Sequence, residues 1–150
     1  MNARYRHTCI IARDWRALAN FYETVFGCVR VPPERDLTGE WVERGVGAPV
    51  QRASGVHLRL PGTGESGPTL EIYSYGVHEP RPAPPLPNRE GYAHMAFEVD
   101  DVEAAFETGL AHGGHRLGEI VTGEIPGAGG ITFVYMTDPE GNIIELQKWS

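Results

Sequence analysis

Two imidazoles and two carboxylates stand at matching places along this chain. His7 lies in the β-rich run His7-Thr-Cys-Ile-Ile, and His94 opens the similar run His94-Met-Ala-Phe-Glu-Val. Glu71 lies within Thr69-Leu-Glu-Ile-Tyr-Ser-Tyr75, and Glu145 within Ile143-Ile-Glu-Leu-Gln-Lys-Trp149. A charged carboxylate in the middle of a strand needs a partner or water. A divalent cation would be such a partner, and mixed imidazole and carboxylate donors suit Ni, Co, Zn, Mn or Fe. Taken singly, a strand His is ordinarily hydrogen-bonded or exposed, and a strand Glu ordinarily lies on a wet face. The repeated placement of all four is what points to a shared role. His57, His78, His112 and His115 show no such matching and are read as surface or pocket residues.

These residues are carried by one pattern written twice. In the first copy Asp14 is a candidate N-cap, and Trp15, Leu18, Tyr22 and Val25 recur at helical spacing up to a stop at Gly27. In the second, Asp100 with Glu103 fits a capping box. Val102, Ala105, Phe106 and Leu110 form the apolar stripe, which Gly113 and Gly114 end. Strands follow each helix. Val56, Leu58 and Leu60 alternate with polar residues, and a Gly-rich turn leads to the Glu71 strand. Ile131 to Met136 precedes the turn Asp138-Pro-Glu-Gly-Asn142 and the Glu145 strand. Each copy is thus a strand, a helix and about three further strands.

Alternation places Glu71 and Glu145 opposite the apolar positions of their strands. His94 likewise opposes Met95 and Phe97, whereas His7 has apolar neighbours on both faces. If the copies pack about a pseudo-twofold axis, all four residues can converge. The fold class expected is α+β, built as paired βαβββ modules. The whole of 1–150 reads as a single domain of two modules, about 1–78 and 91–150. A stiff, proline-dense linker at about 79–90 joins them. The polar stretch 32–54, with one strand expected near Trp41, reads either as a mobile lid or as a loose surface loop.

Composition narrows the partners. The chain has 150 residues, 41% hydrophobic and 22% charged, with a net charge of −7. That suits one domain with a real core and argues against nucleic acid or an anionic membrane as main partners, because both need a basic face. No run is apolar and long enough to span a bilayer, and the N-terminal residues lack the apolar stretch of a secretory signal. Cys9 and Cys28 are too few for a disulfide scaffold, so a cytoplasmic location is expected.

At this point the sequence resembles the vicinal oxygen chelate superfamily, which includes glyoxalase I, methylmalonyl-CoA epimerase, extradiol dioxygenases and the fosfomycin and bleomycin resistance proteins. The resemblance is carried by His7-Thr8, Asn20-Phe-Tyr-Glu-Thr-Val-Phe-Gly27, Leu70-Glu71, His94 with Phe97-Glu-Val-Asp-Asp101, and Asp138-Pro-Glu-Gly-Asn142 running into Ile144-Glu145-Leu146. It spans residues 5 to 149. It implies sheets curled around a divalent metal, with His7, Glu71, His94 and Glu145 as ligands, a quartet similar to that of bacterial glyoxalase I. By the same resemblance, the substrate would be a small molecule that chelates the metal through vicinal oxygens and reacts through an enediolate. Glu145 or Glu71 would then serve as the base.

Glyoxalase I usually carries an Arg four residues after its first ligand His and an Asn four after its first ligand Glu, both of which help hold glutathione. Here those positions are Ile11 and Tyr75, which argues against a glutathione adduct. Pro126-Gly-Ala-Gly-Gly130 is similar to the glycine-rich loop of the epimerase. The reading is therefore a metal-dependent lyase, isomerase or epimerase. An extradiol dioxygenase or a thiol transferase, each using His7, His94 and Glu145, stands as an alternative. A metal-free binder of the bleomycin-resistance kind is another, with Trp41, Tyr73, Tyr75, Tyr135 and Trp149 available to stack on an aromatic ligand. Open sheet edges suggest a homodimer.

Overall fold

The computed structural model describes residues 1–150. The chain forms two compact units, Met1–Arg81 and Pro82–Ser150. In the first, the elements are β1 (His7–Ile11), α1 (Trp15–Phe26), β2 (Val29–Thr38), α2 (Glu40–Val46), β3 (Arg52–Arg59) and β4 (Thr69–Tyr75). The second contains β5 (Met95–Glu98), α3 (Val102–Ala111), β6 (His115–Arg116), β7 (Val121–Ile125), β8 (Gly129–Thr137) and β9 (Ile143–Trp149). Between β4 and β5 the chain runs without helix or strand. The result is the expected α+β class, with one sheet and a covering helix in each unit.

The first sheet has the order β1-β4-β3-β2, with β1 parallel to β4 and the other pairs antiparallel. Helix α1 starts where Asp14 accepts hydrogen bonds from the N–H groups of Arg16 and Ala17. It stops at Gly27, which takes the left-handed conformation. Trp15, Leu18, Ala19, Phe21 and Tyr22 are its buried face, with Val25 only half-buried. That face packs on β3 and β4, where Val56, Leu58, Leu70 and Ile72 are buried. Paired residues share a face of a sheet, so Cys9, Glu71 and His57, which stand opposite one another in register, point away from α1.

The second sheet has the order β5-β9-β8-β6, with β7 also paired to β8. Again the first strand runs parallel to the last, with Ala96 opposite Glu145 and Tyr135 on its other side. Helix α3 packs on β8 and β9, over buried Phe97, Val134, Met136, Ile144 and Leu146. Turn Asp138–Asn142 is built around one buried carboxylate. Asp138 Oδ1 accepts from the N–H groups of Glu140 and Asn142, both at 2.9 Å, and Oδ2 accepts from Asn142 Nδ2 at 2.7 Å.

Three local expectations need correction. The N-cap of α3 is Asp101, whose Oδ1 accepts from Ala104 N at 3.0 Å. Helix α3 begins at Val102, so the third helical N–H belongs to Ala104, and Asp100 with Glu103 forms no capping box. Trp41 lies in helix α2 rather than in a strand, 66% exposed. Finally, 32–54 is no loose loop: it completes β2, forms α2 and opens β3. Pro32 and Pro33 sit in β2, an edge strand whose register shifts between Val31 and Arg35, the setting in which a strand tolerates proline. The Glu43 carboxylate accepts from the N–H groups of Val50 and Gln51. Val42 packs with Val50, Ala53 and Tyr73.

Candidate metal centre

The two units place a His beside a Glu by the same backbone device. Glu71 stands opposite Cys9 across the parallel pair of β1 and β4, with His7 two residues upstream of Cys9. Glu145 stands opposite Ala96 across the parallel pair of β5 and β9, with His94 two residues upstream of Ala96. His7 opens β1 and His94 immediately precedes β5, and each leans toward the Glu from the same side of its sheet. His7 Nε2 lies 3.5 Å from Glu71 Oε2. His94 Nε2 lies 2.9 Å from Glu145 Oε2. Both carboxylates are largely buried, with side-chain exposures of 13% and 14%, and His94 is more enclosed than His7.

The surroundings of the two carboxylates differ. Glu71 also meets His57, whose Nε2 lies 2.9 Å from Oε1. The other ring nitrogen, Nδ1, lies 2.8 Å from the Thr69 hydroxyl. The His7 and His57 rings meet edge to face at 5.4 Å. Tyr73 donates its hydroxyl to Glu71, and Cys9 donates its thiol. In the second unit the position of His57 is occupied by Tyr135, which lies opposite Glu145 in register. Its ring stacks obliquely on His94 at 4.8 Å.

Electrostatics follow from this crowding. Burial, then the Glu71 carboxylate, push the Cys9 thiol far up and keep it protonated. Burial also pushes the Tyr73 phenol up, again reinforced by Glu71. The imidazole of His57 is pushed down by burial, against the attraction of Glu71 and with help from the charges of Arg35 and His7. Tyr135 is raised by burial and then by Glu145.

The donor set suits a divalent ion. Two acceptor atoms 2.9 Å apart, as in His94–Glu145 and His57–Glu71, need a positive centre between them, either a proton or a metal. Neutral imidazoles beside carboxylates are the donors that Zn, Ni, Co, Fe and Mn share. The structure brings His7 to Glu71 and His94 to Glu145 and adds His57, which sequence reading passed over. The signal for His57 was there. It is the polar member of Val56-His57-Leu58, but only the hairpin register sets it opposite Glu71. Cys9 and Tyr73 were missed as Glu71 partners for the same reason.

The family model for the Glyoxalase/Bleomycin resistance protein/Dioxygenase superfamily matches residues 4–146. The chain belongs to this superfamily. A glyoxalase family protein from Bacillus cereus is similar with a TM-score of 0.76 at 18% identity, over 99% of this chain and 94% of that one. A superfamily domain from Frankia sp. EAN1pec matches at 0.61 and 17% identity over the whole of both chains. The fosfomycin resistance protein FosX from Listeria monocytogenes, solved with Mn(II) and sulfate, matches at 0.57 and 14% identity, over 100% of this chain and 95% of that one. At these identities the likeness is one of fold. No protein of curated function matches the sequence. Members of the superfamily often hold a divalent metal and bind small molecules. No helix is long and apolar enough to cross a membrane.

Proposed function

We propose that this chain is a divalent-metal-dependent enzyme acting on a small substrate with two neighbouring oxygens, as a lyase, isomerase or epimerase. His7 and Glu71 are metal ligands in the first unit, and His94 and Glu145 in the second. The observation that carries this reading is the duplicated register: each unit sets a His two residues upstream of the strand residue opposite a Glu. Ordinary surface pairs have no reason to recur at the same lattice position of two sheets. When bound, the ion supplies positive charge to the substrate's oxygens, which acidifies the adjacent C–H. The chain's own part is to hold the donors on rigid strands and to move the proton. Glu145 is the carboxylate for that task. Glu71 is fastened by His57, Tyr73 and Cys9, whereas Glu145 meets His94 and keeps a carboxylate oxygen for substrate. Exposed sheet edges make a homodimer the expected assembly.

The test is metal content of the tag-free protein by inductively coupled plasma mass spectrometry. About one Ni, Co, Zn or Mn per chain supports the reading. Iron redirects it to a dioxygenase. No bound metal after incubation with each ion refutes it in favour of a metal-free binding protein. Both Glu71→Gln and Glu145→Gln are expected to weaken metal retention, and under metal saturation only Glu145→Gln is expected to stop deuterium exchange beside the carbonyl of α-hydroxyketones.

A further inference from the structure

We infer that His57 is a metal ligand together with His7 and Glu71, so that the first unit by itself presents a two-histidine, one-carboxylate set. This rests on the reading of the chain as a metal protein. The ligand atoms of His7, His57 and Glu71 all lie within 4.8 Å of one another. Donors about 2.1 Å from one ion stand about 3.0 Å apart at right angles and about 3.4 Å apart in a tetrahedron. The separations here are 2.9 Å from His57 Nε2 to Glu71 Oε1 and 3.5 Å from His7 Nε2 to Glu71 Oε2, so each carboxylate oxygen faces one imidazole. His57 is also oriented as a ligand is. Its Nδ1 is engaged by the Thr69 hydroxyl at 2.8 Å, which fixes the ring with Nε2 toward Glu71. Ligating imidazoles characteristically have their second nitrogen held in this way. The fold itself does not demand a His here, because the equivalent position of the second unit carries Tyr135.

A histidine that merely positioned Glu71 by a hydrogen bond would also weaken metal binding when replaced, so affinity alone does not test the inference. A count of ligating imidazoles does. The full chain is stripped with a chelator and loaded with Co(II), and its paramagnetically shifted, solvent-exchangeable imidazole N–H signals are counted by proton NMR. The native chain is expected to show one such signal more than His57→Gln. Thr69→Val, which removes the hydroxyl beside Nδ1, is expected to speed solvent exchange of one signal and leave the others alone. The same number of signals in His57→Gln as in the native chain, with Co(II) still bound, would overturn the inference while leaving the other ligands standing. If His57→Gln does not fold, Thr69→Val decides, and no change in the exchange of any signal overturns the inference. A native chain that binds no Co(II) fails at the earlier step, the metal reading itself.

Discussion

Gly55 lies in β3 directly opposite Tyr73 in β4, one alternation away from the pair of His57 and Glu71. The strands approach closely there because Gly55 has no Cβ. An alanine Cβ at that position would overlap the Tyr73 ring and the Ile72 carbonyl oxygen and stand 2.8 Å from Tyr73 Cα. Carbon atoms prefer about 3.5–4.0 Å, so β3 and β4 would have to part by about 1 Å. A backbone hydrogen bond near 2.9 Å does not survive such a stretch. Overpacking costs about 1–3 kcal/mol, and one or two lost ladder bonds add about 1 kcal/mol each. The entropy that alanine saves in a strand returns about 0.5–1 kcal/mol. Gly55→Ala is therefore expected to destabilise the protein by about 2–4 kcal/mol, a fall in melting temperature of about 6–12 °C. It should also weaken metal retention, because Tyr73 is displaced from Glu71. Urea unfolding followed by circular dichroism measures the first effect. Gly123→Ala is the control: Gly123 lies in β7 with nothing near its absent Cβ, and Ala there should cost nothing and gain up to about 1 kcal/mol. A loss below about 1 kcal/mol in Gly55→Ala would show that the strands have room to spare, and the close-approach argument would fail.

Asp138→Ala removes a buried acceptor of two backbone N–H groups and the Asn142 amide, and should cost about 3 kcal/mol or more, read by the same unfolding assay. Asp101→Ala should cost about 1 kcal/mol and Asp100→Ala less than about 0.5 kcal/mol, and equal effects would contradict the cap assignment. Burial lifts the Cys28 thiol from 9.0 to about 11. At pH 8 it should therefore react with iodoacetamide about a hundredfold more slowly than in the urea-unfolded chain. Because the folded state holds this proton longer, its contribution to stability is present below the unfolded value and is lost as pH rises through about 11. Peptide mapping by mass spectrometry that finds native and unfolded rates within tenfold would refute the shift.

Much of the fold is legible because the apolar pattern carries it. The bounds read for the strands of Glu71 and Glu145 match β4 and β9, and Asp14 and Gly27 bracket α1 as read. What fails does so where tertiary context outweighs local signal. Two prolines argue against a strand unless it lies at an edge, and edge position is a property of the assembled sheet. Around Trp41 an exposed aromatic suggests a strand, but Gly39 and Gly47, both at positive φ, bound a short helix held by buried Val42. Asp100 and Asp101 are adjacent carboxylates, and which one caps depends on where the chain first turns helical. The four His and Glu candidates are visible in sequence because each recurs in its own copy. His57 has no counterpart, so a search for repeats discards the residue that the hairpin register restores.

That contrast has a physical basis. In both units the parallel pairing of first and last strands fixes which residue stands opposite the Glu, and the His two residues upstream then falls within reach of it. Pairing of this kind is a backbone property and is inherited by any side chains placed on it. The antiparallel neighbour supplies a third position on the same face, His57 in one unit and Tyr135 in the other. A phenol can donate to a carboxylate or stack on an imidazole, as Tyr135 does on His94, while an imidazole can also give a lone pair to a cation. The duplicated frame therefore makes the two halves alike in geometry and leaves the third position to make them unlike in chemistry. Exchanging the pair, His57→Tyr with Tyr135→His, tests this. If the frame alone sets reach, the Co(II)-loaded double variant should keep as many shifted imidazole signals as the native chain, and one fewer would show that the third position is not equivalent in the two sheets.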